Sequence, residues 1–321
     1  MVDGLERQIE ELGILPVIKI NDPKDAEPLA AALSEGGLPC AEITFRTDAA
    51  AEAIRIIRKT FPDMLVGAGT VLSEESADAA IDAGAQFIVT PGMNPNTIRY
   101  CLKKGIRIIP GCATAGDIET AMSFGLTTVK FFPAEVNGGL KAIKALSAPY
   151  SNIKFMPTGG ISAQNVTDYL RYDKVLACGG TWMVPEKEIA LHNFDKIKAL
   201  TADAVKTMHG FRLSHVALRC SGAEQAELTA KKFTELFGFE AGDANGLSFL
   251  PGNAEPGNGI RGHIAVQANS VERAIAYLEK KGIMFNPDSY MFNANGRLQS
   301  AFSKEPLGDF MLMIVRNTEG G

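Results

Sequence analysis

Residues that build metal sites and disulfide frameworks are scarce in this sequence. Its 321 residues include only four histidines and five cysteines, and the cysteines are scattered, odd in number and without a CxxC pair. Such cysteine usage argues against a zinc site or a disulfide framework, and it favours a reducing compartment. We therefore expect a cytoplasmic protein without a structural metal.

Long apolar runs and blocks of like charge are missing as well. No apolar run reaches the roughly 18 residues of a transmembrane helix, and the first residues lack the basic and apolar regions of a signal peptide. A net charge of -5 and a pI near 5.5 give no reason to expect nucleic acid or an anionic membrane as a partner. The chain is long enough for one barrel and a smaller domain.

Strand-like apolar runs recur between residue 5 and about residue 207. There are eight of them: Ile14–Ile20, Cys40–Phe45, Leu65–Val71, Phe87–Thr90, Arg107–Pro110, Thr128–Phe132, Ile153–Pro157 and Val175–Ala177. Amphipathic helical segments lie between them, as at residues 49–60 and 74–83. This alternation is typical of a parallel sheet covered by helices, and eight such units predict a (β/α)8 TIM barrel. An open doubly wound sheet is the alternative, although no GxGxxG turn follows the first run.

One lysine interrupts the sixth run. Lys130 lies between Val129 and Phe131, and Pro133 ends the strand shortly afterwards. A buried ammonium is costly unless it is paired or becomes neutral, so such a lysine is either a surface residue or an amine kept for chemistry. Close to the carboxyl end of its strand, it would lie where a parallel barrel builds its active site. Lys19 in the first run is a second lysine that could face the barrel interior.

A carboxylate and a guanidinium occur together in the second run. Glu42 and Arg46 are four residues apart, with Thr44 between them. Side chains at even separations share one face of a strand, so all three are expected to point into the barrel. They could form a structural ion pair, or they could act as a general base beside an anion-binding arginine. With Lys130 on the same rim, the second interpretation describes an imine-forming aldolase.

Glycine-rich turns follow the seventh and eighth runs. Glycine permits positive φ and a close approach of the backbone to a ligand, and barrels often bind phosphate with the loops after strands 7 and 8. Turn formation alone would explain any single glycine. The combination predicts a phosphate site that contains Gly159, Gly160, Gly180 and Thr181.

Residues 5 to about 207 resemble the bacterial 2-keto-3-deoxy-6-phosphogluconate (KDPG) aldolases, whose close relatives cleave 4-hydroxy-2-oxoglutarate (KHG). The resemblance is carried by the stretches EITFRT at 42–47, VGAGTV at 66–71, KFFPAE at 130–135, PTGGI at 157–161 and GGTWMVP at 179–185. It implies a class I aldolase that needs no metal or other cofactor and takes a small keto-acid phosphate as substrate. It also implies a homo-oligomer, with a trimer favoured.

The resemblance further implies roles for matching residues. Lys130 would form the Schiff base, and Glu42 would be the general acid and base. Arg46 and Thr70 would bind the carboxylate of the pyruvate half, with Thr158 close by. The terminal phosphate would be held by Gly159, Gly160, Gly180 and Thr181.

A different pattern begins near residue 208 and predicts a separate domain at 208–321. Strand-like runs at 211–219, 247–250, 262–266 and 310–315 alternate with helical segments at 223–237 and 270–281. The pattern resembles the glyoxalase, or vicinal-oxygen-chelate, fold, in which His215 and His263 would stand on metal-binding strands. No carboxylate follows at the expected positions, so we expect a structural, oligomer-forming or ligand-sensing role without a metal.

The sequence thus predicts an aldolase barrel at 1–207 and a glyoxalase-like α+β domain at 208–321. The predicted reaction is the cleavage of KDPG to pyruvate and glyceraldehyde 3-phosphate. An aldolase that prefers unphosphorylated KHG, or has both activities, is the nearest alternative. A ligand sensor with an inactive barrel is the remote one, and the joint presence of Lys130, Glu42 and Arg46 argues against it.

Overall fold

The computed structural model describes residues 4–237, 240–242, 246–252 and 261–317. The chain divides into two compact units, Met1–Met208 and His209–Gly321, and the strands of the two units belong to different sheets. Within the described ranges, no helix combines the length and the apolar character that crossing a membrane requires.

Eight strand positions form a (β/α)8 barrel in the first unit. The strands are β1 Ile14–Ile18, β2 Cys40–Thr44, β3 Leu65–Gly69, β4 Phe87–Val89, β5 Arg107–Ile109, β6 Gly111–Cys112, β7 Thr128–Phe131, β8 Lys154–Pro157 and β9 Cys178–Gly180. β5 and β6 share the fifth position, because Pro110 between them has no N–H to donate to a neighbouring strand.

Parallel pairing runs around the ring. The order β5-β4-β3-β2-β1-β9 forms one sheet and β6-β7-β8 a second, and a bridge from Thr158 to Gly179 joins β8 to β9. Because the strands are parallel, their carboxyl ends meet at one rim. The predicted eighth strand was placed too early: Val175 makes an isolated bridge to Phe155, and the strand itself contains Cys178–Gly180. Glycines have low strand propensity, so the sequence favoured the apolar residues before them.

Helices cover the outside of the barrel. They are α1 Gly4–Leu12, α2 Ala26–Glu35, α3 Ala50–Thr60, α4 Glu74–Asp82, α5 Pro95–Lys103, α6 Ala115–Ser123, α7 Gly139–Ser147, α8 Val166–Leu170, α9 Glu186–Ala190 and α10 Phe194–His209. In α3 the buried positions Ala50, Ala53, Ile54 and Ile57 recur every three to four residues, which gives one apolar face toward the strands.

The first helix closes the amino-terminal end of the barrel. Ile9 and Leu12 of α1 are buried, and Glu6 accepts hydrogen bonds from the hydroxyls of Thr127 at 2.9 Å and Thr128 at 2.6 Å. Thr128 begins β7, so these contacts lie at the end of the barrel opposite the carboxyl-terminal rim. A ligand would therefore enter the barrel from that rim.

Where the structure describes the second unit, it contains one mixed sheet and two α-helices. Its strands are β10 Arg212–Arg219, β11 Leu247–Leu250, β12 Gly262–Ala268, β13 Met291–Phe292, β14 Leu298–Phe302 and β15 Met311–Arg316, in the order β11-β10-β12-β15-β14-β13. The helices are α11 Ala223–Phe237 and α12 Val271–Glu279. Val271, Ala274 and Ile275 of α12 belong to a buried cluster that also contains Phe285 and Ile314.

A buried histidine lies at the start of this unit. The His209 ring stacks on Phe211 with ring centroids 4.9 Å apart and lies 4.6 Å from the ring of Tyr277. Neither ring nitrogen has a hydrogen-bond partner among the described residues. Burial, with a smaller contribution from Arg273, lowers the pKa of His209 from 6.5 to about 4.

We expect the free energy of unfolding of this unit to fall as pH drops from about 6.5 to about 4. In that window an unfolded histidine takes up a proton while the folded His209 stays neutral, so protonation favours the unfolded chain. By pH 4.5 the loss should be about 2 kcal/mol. Chemical denaturation of His209→Phe and wild type at pH 7 and pH 4.5 measures it, because the variant lacks this dependence.

The matched control is His192→Asn at the exposed histidine of the first unit. Its ring lies 2.8 Å from the Asp25 carboxylate and its backbone has a φ of 52°, which asparagine tolerates well. This variant leaves the His209 ring and its surroundings unchanged, so it should keep the loss of stability that His209 causes. If His209→Phe also keeps it, the buried imidazole is not the source of the acid sensitivity.

Candidate active site

A cavity of about 300 Å³ opens at the carboxyl ends of the barrel strands. All the predicted site residues line it, namely Glu42, Arg46, Thr70, Lys130, Thr158, Gly159, Gly160, Gly180 and Thr181. The other lining residues are Val17, Thr44, Pro91, Phe132, Ile161 and Gly179. Most of the strands and loops at this rim therefore contribute residues to the cavity wall.

Lys130 and Glu42 form a buried pair at the inner end of this cavity. The Lys130 Nζ donates to Glu42 Oε1 at 3.1 Å, and both side chains are almost fully buried. The Lys130 backbone N–H donates to the carbonyl of Pro110 at 2.8 Å, which fixes the strand that presents the amine. The Phe132 ring lies 5.3 Å from Nζ and covers the amine from one side. Among the described residues, the amine therefore has Glu42 as its charged partner and the Phe132 ring beside it.

Gly69 provides the space for the Glu42 side chain. A Cβ at Gly69 would lie 2.2 Å from Glu42 Oε1, so any larger residue in this position would displace the carboxylate. The second oxygen, Oε2, is buried and has no hydrogen-bond partner among the described residues. A buried carboxylate oxygen normally has a donor. Glu42 is therefore available to a water molecule or a substrate hydroxyl.

Arg46 lies just beyond β2 and is held by Thr44, the last residue of that strand. The Thr44 hydroxyl donates to the carbonyl of Ile18 at 2.8 Å and accepts from Arg46 Nε at 3.2 Å. The alternative of a structural ion pair between Glu42 and Arg46 is wrong, because Glu42 is paired with Lys130. The guanidinium is exposed at the cavity wall, where it can bind an anion.

Two threonines present hydroxyl groups to the cavity. Thr70 follows β3 and has a φ of 58°, a conformation that L-residues other than glycine rarely adopt and that often marks functional sites. Thr158 follows β8, and its buried Oγ1 has no hydrogen-bond partner among the described residues. Both hydroxyls are placed to bind a polar ligand group.

Glycines form the wall between the loops after β8 and β9. Gly159 and Gly160 have φ values of 97° and 81°, which turn their backbone along the cavity. Gly180 lies against the indole of Trp182, since a Cβ at Gly180 would be 1.9 Å from that ring. Trp182 itself is absent from the cavity lining and packs against Gly180.

Lys19 and the five cysteines lie outside the cavity lining. Lys19 does not line the cavity, because its Nζ lies 3.3 Å from Glu186 Oε2 in a surface ion pair. All five cysteines are free thiols. Burial raises the pKa of Cys112 to about 12, so this thiol is unreactive although it lies close to the rim. Pro91 and Val17 are lining residues that the sequence did not single out.

A buried amine with a carboxylate beside it and an arginine at the same rim of a barrel is the arrangement expected of a class I aldolase. The family model for KDPG and KHG aldolase matches residues 5–200. This chain belongs to the KDPG and KHG aldolase family.

Curated relatives and solved structures agree with that assignment. The chain is 48% identical over 198 residues to a 2-dehydro-3-deoxy-phosphogluconate aldolase of Treponema pallidum, covering 62% of this chain and 94% of the relative. It is 42% identical over 193 residues to the KHG/KDPG aldolase of Escherichia coli K12, covering 60% and 91%. A KDPG aldolase of Legionella pneumophila, solved with pyruvate captured as a covalent carbinolamine intermediate, has a TM-score of 0.60 at 37% identity and covers 62% and 97%.

The second unit lies beyond the family match. In it the Nε2 atoms of His215 and His263 are 3.0 Å apart, and both side chains are buried. The His263 ring also meets Phe302 edge-on, with centroids 5.3 Å apart. In the part of the chain that the structure describes, no group of three or more histidine, cysteine or acidic residues could hold a metal ion.

Proposed function

We propose that this aldolase cleaves KDPG to pyruvate and glyceraldehyde 3-phosphate through a Schiff base on Lys130. The observation that carries the proposal is the buried contact of 3.1 Å between Lys130 Nζ and Glu42 Oε1. It places a nucleophile and a proton-transfer group within reach of the same substrate carbon. The curated relatives carry the same activity in their names.

The first half of the reaction forms the imine. The neutral amine of Lys130 attacks the C2 ketone, and the carbinolamine loses water to give an iminium ion. Glu42 supplies and removes the protons for these steps, directly or through one water molecule. The Phe132 ring beside Nζ shields the iminium ion from hydrolysis.

The second half breaks the C3–C4 bond. Glu42 takes the proton of the C4 hydroxyl, the electron pair of the bond moves into the iminium system, and glyceraldehyde 3-phosphate leaves. The remaining enamine is protonated at C3, and hydrolysis releases pyruvate and the free amine of Lys130. Gly69 matters here because a Cβ at this position would displace the Glu42 carboxylate from Lys130 Nζ.

Binding groups stand on both sides of the reacting carbons. Arg46, oriented by Thr44, and the hydroxyls of Thr70 and Thr158 would bind the carboxylate next to C2. The backbone of Gly159, Gly160 and Gly180, with Thr181, would hold the terminal phosphate. We call these four residues the phosphate cradle.

Borohydride trapping tests the proposal. Incubation of the full chain with pyruvate and borohydride should reduce the imine and leave a pyruvyl adduct, which peptide mass spectrometry should locate on Lys130. Omitting pyruvate is the control. An adduct on another lysine, or none in an enzyme that turns over KDPG, contradicts the assignment.

A second substrate is suggested by the relative of E. coli, whose name includes both KHG and KDPG. KHG has the same keto-acid half but no phosphate, so it would use Lys130, Glu42 and Arg46 without the phosphate cradle. We propose KDPG as the preferred substrate because the cradle then contributes to binding. Comparing kcat/KM for the two substrates decides between them.

We propose residues 1–207 as the catalytic domain and 208–321 as a glyoxalase-like domain, the latter supported by the β12-α12-β13-β14-β15 unit and its strand order. A homotrimer is proposed from the family resemblance, and light scattering of the purified chain tests it. The five free thiols support a reducing, cytoplasmic location.

A further inference from the structure

A side-chain pair lies directly behind the proposed phosphate cradle. Glu135 is in the loop after β7, and Tyr169 is a buried residue of α8. The Tyr169 hydroxyl donates a hydrogen bond to Glu135 Oε1. Neither residue lines the cavity, and neither has a part in the proposed chemistry.

The loop that carries Glu135 supports the cradle through its backbone. Ala134 N–H donates to the carbonyl of Thr158 at 2.8 Å, and Glu135 N–H donates to that of Gly159 at 3.1 Å. These two bonds attach the loop after β7, which follows Lys130, to the loop that would bind phosphate. The position of Glu135 therefore affects the cradle and not only its own loop.

The Glu135 side chain rests on Gly160. A Cβ at Gly160 would lie 2.5 Å from Glu135 Cγ, so the two residues are in close contact. The Glu135 carboxylate lies beside Gly139. A Cβ at Gly139 would be 3.0 Å from Glu135 Oε1 and 2.9 Å from the Tyr169 hydroxyl. The glycine at 139 thus provides the space in which the hydroxyl and the carboxylate meet.

The contacts of Glu135, Tyr169 and Gly160 form a closed ring, referred to as the circuit. From Gly160 the chain turns through Asn165, whose Nδ2 donates to the Gly160 carbonyl at 3.0 Å, and then enters α8. Tyr169 of α8 bonds to Glu135, and Glu135 packs back on Gly160. The circuit fixes the positive-φ backbone of the cradle from behind.

From this geometry we propose that Glu135 and Tyr169 are positioning residues for the phosphate end of the substrate. Tyr169 holds the Glu135 carboxylate against Gly139, away from the place where a phosphate dianion would bind, and keeps Gly160 in its turned conformation. A carboxylate released beside that place would repel the phosphate. The pair thereby favours phosphorylated over unphosphorylated keto acids, and this inference rests on the proposed function of the cradle.

The test is steady-state kinetics of the full chain with KDPG and with KHG. Tyr169→Phe removes only the hydroxyl, and we expect KM for KDPG to rise about fivefold while kcat for KDPG and kcat/KM for KHG stay within about twofold of wild type. Glu135→Gln removes the charge but keeps an acceptor for Tyr169, so its KM for KDPG should stay at or below the wild-type value. Combining Glu135→Gln with Tyr169→Phe should lower the raised KM again, because no charge is left to repel the phosphate.

Tyr172→Phe is the matched control. Its hydroxyl lies 2.7 Å from Ser147 Oγ and makes no described contact with the cradle, so the same chemical change should leave both substrates unaffected. Equal losses on KDPG and KHG in Tyr169→Phe, or no change on either, overturn the inference. If Tyr169→Phe does not fold, Glu135→Ala decides: a KM increase confined to KDPG supports the inference, and an unchanged KM overturns it. A wild-type enzyme that does not prefer KDPG and is not inhibited by inorganic phosphate overturns the cradle itself.

Discussion

Replacing Lys130 by alanine should abolish cleavage, with kcat for KDPG falling by about 10⁴-fold or more. Alanine cannot form the imine, and Lys130 is the lysine that lines the cavity. Without the imine there is no electron sink for the C3–C4 bond, so Glu42 and Arg46 have no intermediate on which to act. Coupling aldolase turnover to pyruvate reduction measures the loss, and borohydride trapping should give no pyruvyl adduct in the variant.

The same substitution should also destabilise the barrel. Removing one partner of a buried ion pair leaves an uncompensated charge, which we expect to lower the free energy of unfolding by about 3 kcal/mol. The double variant Lys130→Ala/Glu42→Gln removes that charge and should regain much of the stability while remaining inactive. Recovery of stability without activity separates loss of the nucleophile from loss of the fold.

Lys19→Ala is the matched control for Lys130. Lys19 forms a surface ion pair with Glu186, and such pairs contribute little. Its kcat and its trapped adduct should match wild type to within about twofold. Cleavage by Lys130→Ala that persists within about 100-fold of wild type contradicts the assignment of the nucleophile.

The contrast between these two lysines shows what sequence patterns can predict. Both interrupt apolar strand runs, and alternation along β1 would place Lys19 on the same face as Val17, which does line the cavity. The strand ends at Ile18, however, so the alternation no longer holds at Lys19. Lys130 is still inside β7, and there the alternation holds. Leaving the strand does not by itself set the direction of a side chain, since Arg46 also lies beyond its strand and lines the cavity. At Lys19 the direction agrees with the ion pair to Glu186, a contact between distant residues that no local pattern predicts.

The second strand shows that a local pattern can predict the face of a side chain but not its partner. Even spacing correctly predicted that Glu42, Thr44 and Arg46 line the cavity, although β2 ends at Thr44 and Arg46 lies two residues beyond it. It could not predict their partners: Glu42 bonds to a lysine 88 residues away, and Arg46 bonds to Thr44. The contact between Glu42 and Lys130 forms because barrel closure places β2 and β7 on opposite sides of one interior. No local sequence pattern predicts it.

Gly69 is visible in the sequence as part of a motif, but the neighbouring residues do not explain why a glycine is needed there. The stretch 66–71 was recognised as a motif, yet the reason for its second glycine appears only when Glu42 fills the space beside it. The Tyr169 hydroxyl is a similar case, because α8 has no sequence feature that relates it to the loop after β7. In both cases the constraint comes from tertiary packing.

Replacing Glu42 by glutamine should lower kcat for KDPG by about 10²- to 10⁴-fold, the usual contribution of a positioned acid or base. Glutamine has nearly the same shape, so it still fits beside Gly69 and its amide oxygen can still accept from Lys130. It cannot take the proton of the C4 hydroxyl. We therefore expect the chemical steps to suffer while the cavity and the fold remain intact.

Two measurements separate proton transfer from imine formation in Glu42→Gln. Borohydride with pyruvate should still give the adduct on Lys130, although more slowly, because water can protonate the carbinolamine. Exchange of the pyruvate methyl protons with deuterium needs the imine and a base but no C–C cleavage, so it should fall together with kcat. If exchange stays at the wild-type rate while kcat falls, Glu42 acts at the C4 hydroxyl alone.

Glu35→Gln is the matched control for the loss of a carboxylate. Glu35 is exposed on α2 and pairs with Lys198 at 2.5 Å on the surface, so its neutral variant should have wild-type kinetics. Glu42→Gln should lower the free energy of unfolding by up to about 3 kcal/mol, because the buried Lys130 ammonium loses its charged partner, so its kinetics are compared with those of wild type under conditions where both are folded. A kcat within about tenfold of wild type would mean that another group carries the proton, and the Thr158 hydroxyl, buried in the same cavity, is then the first to test.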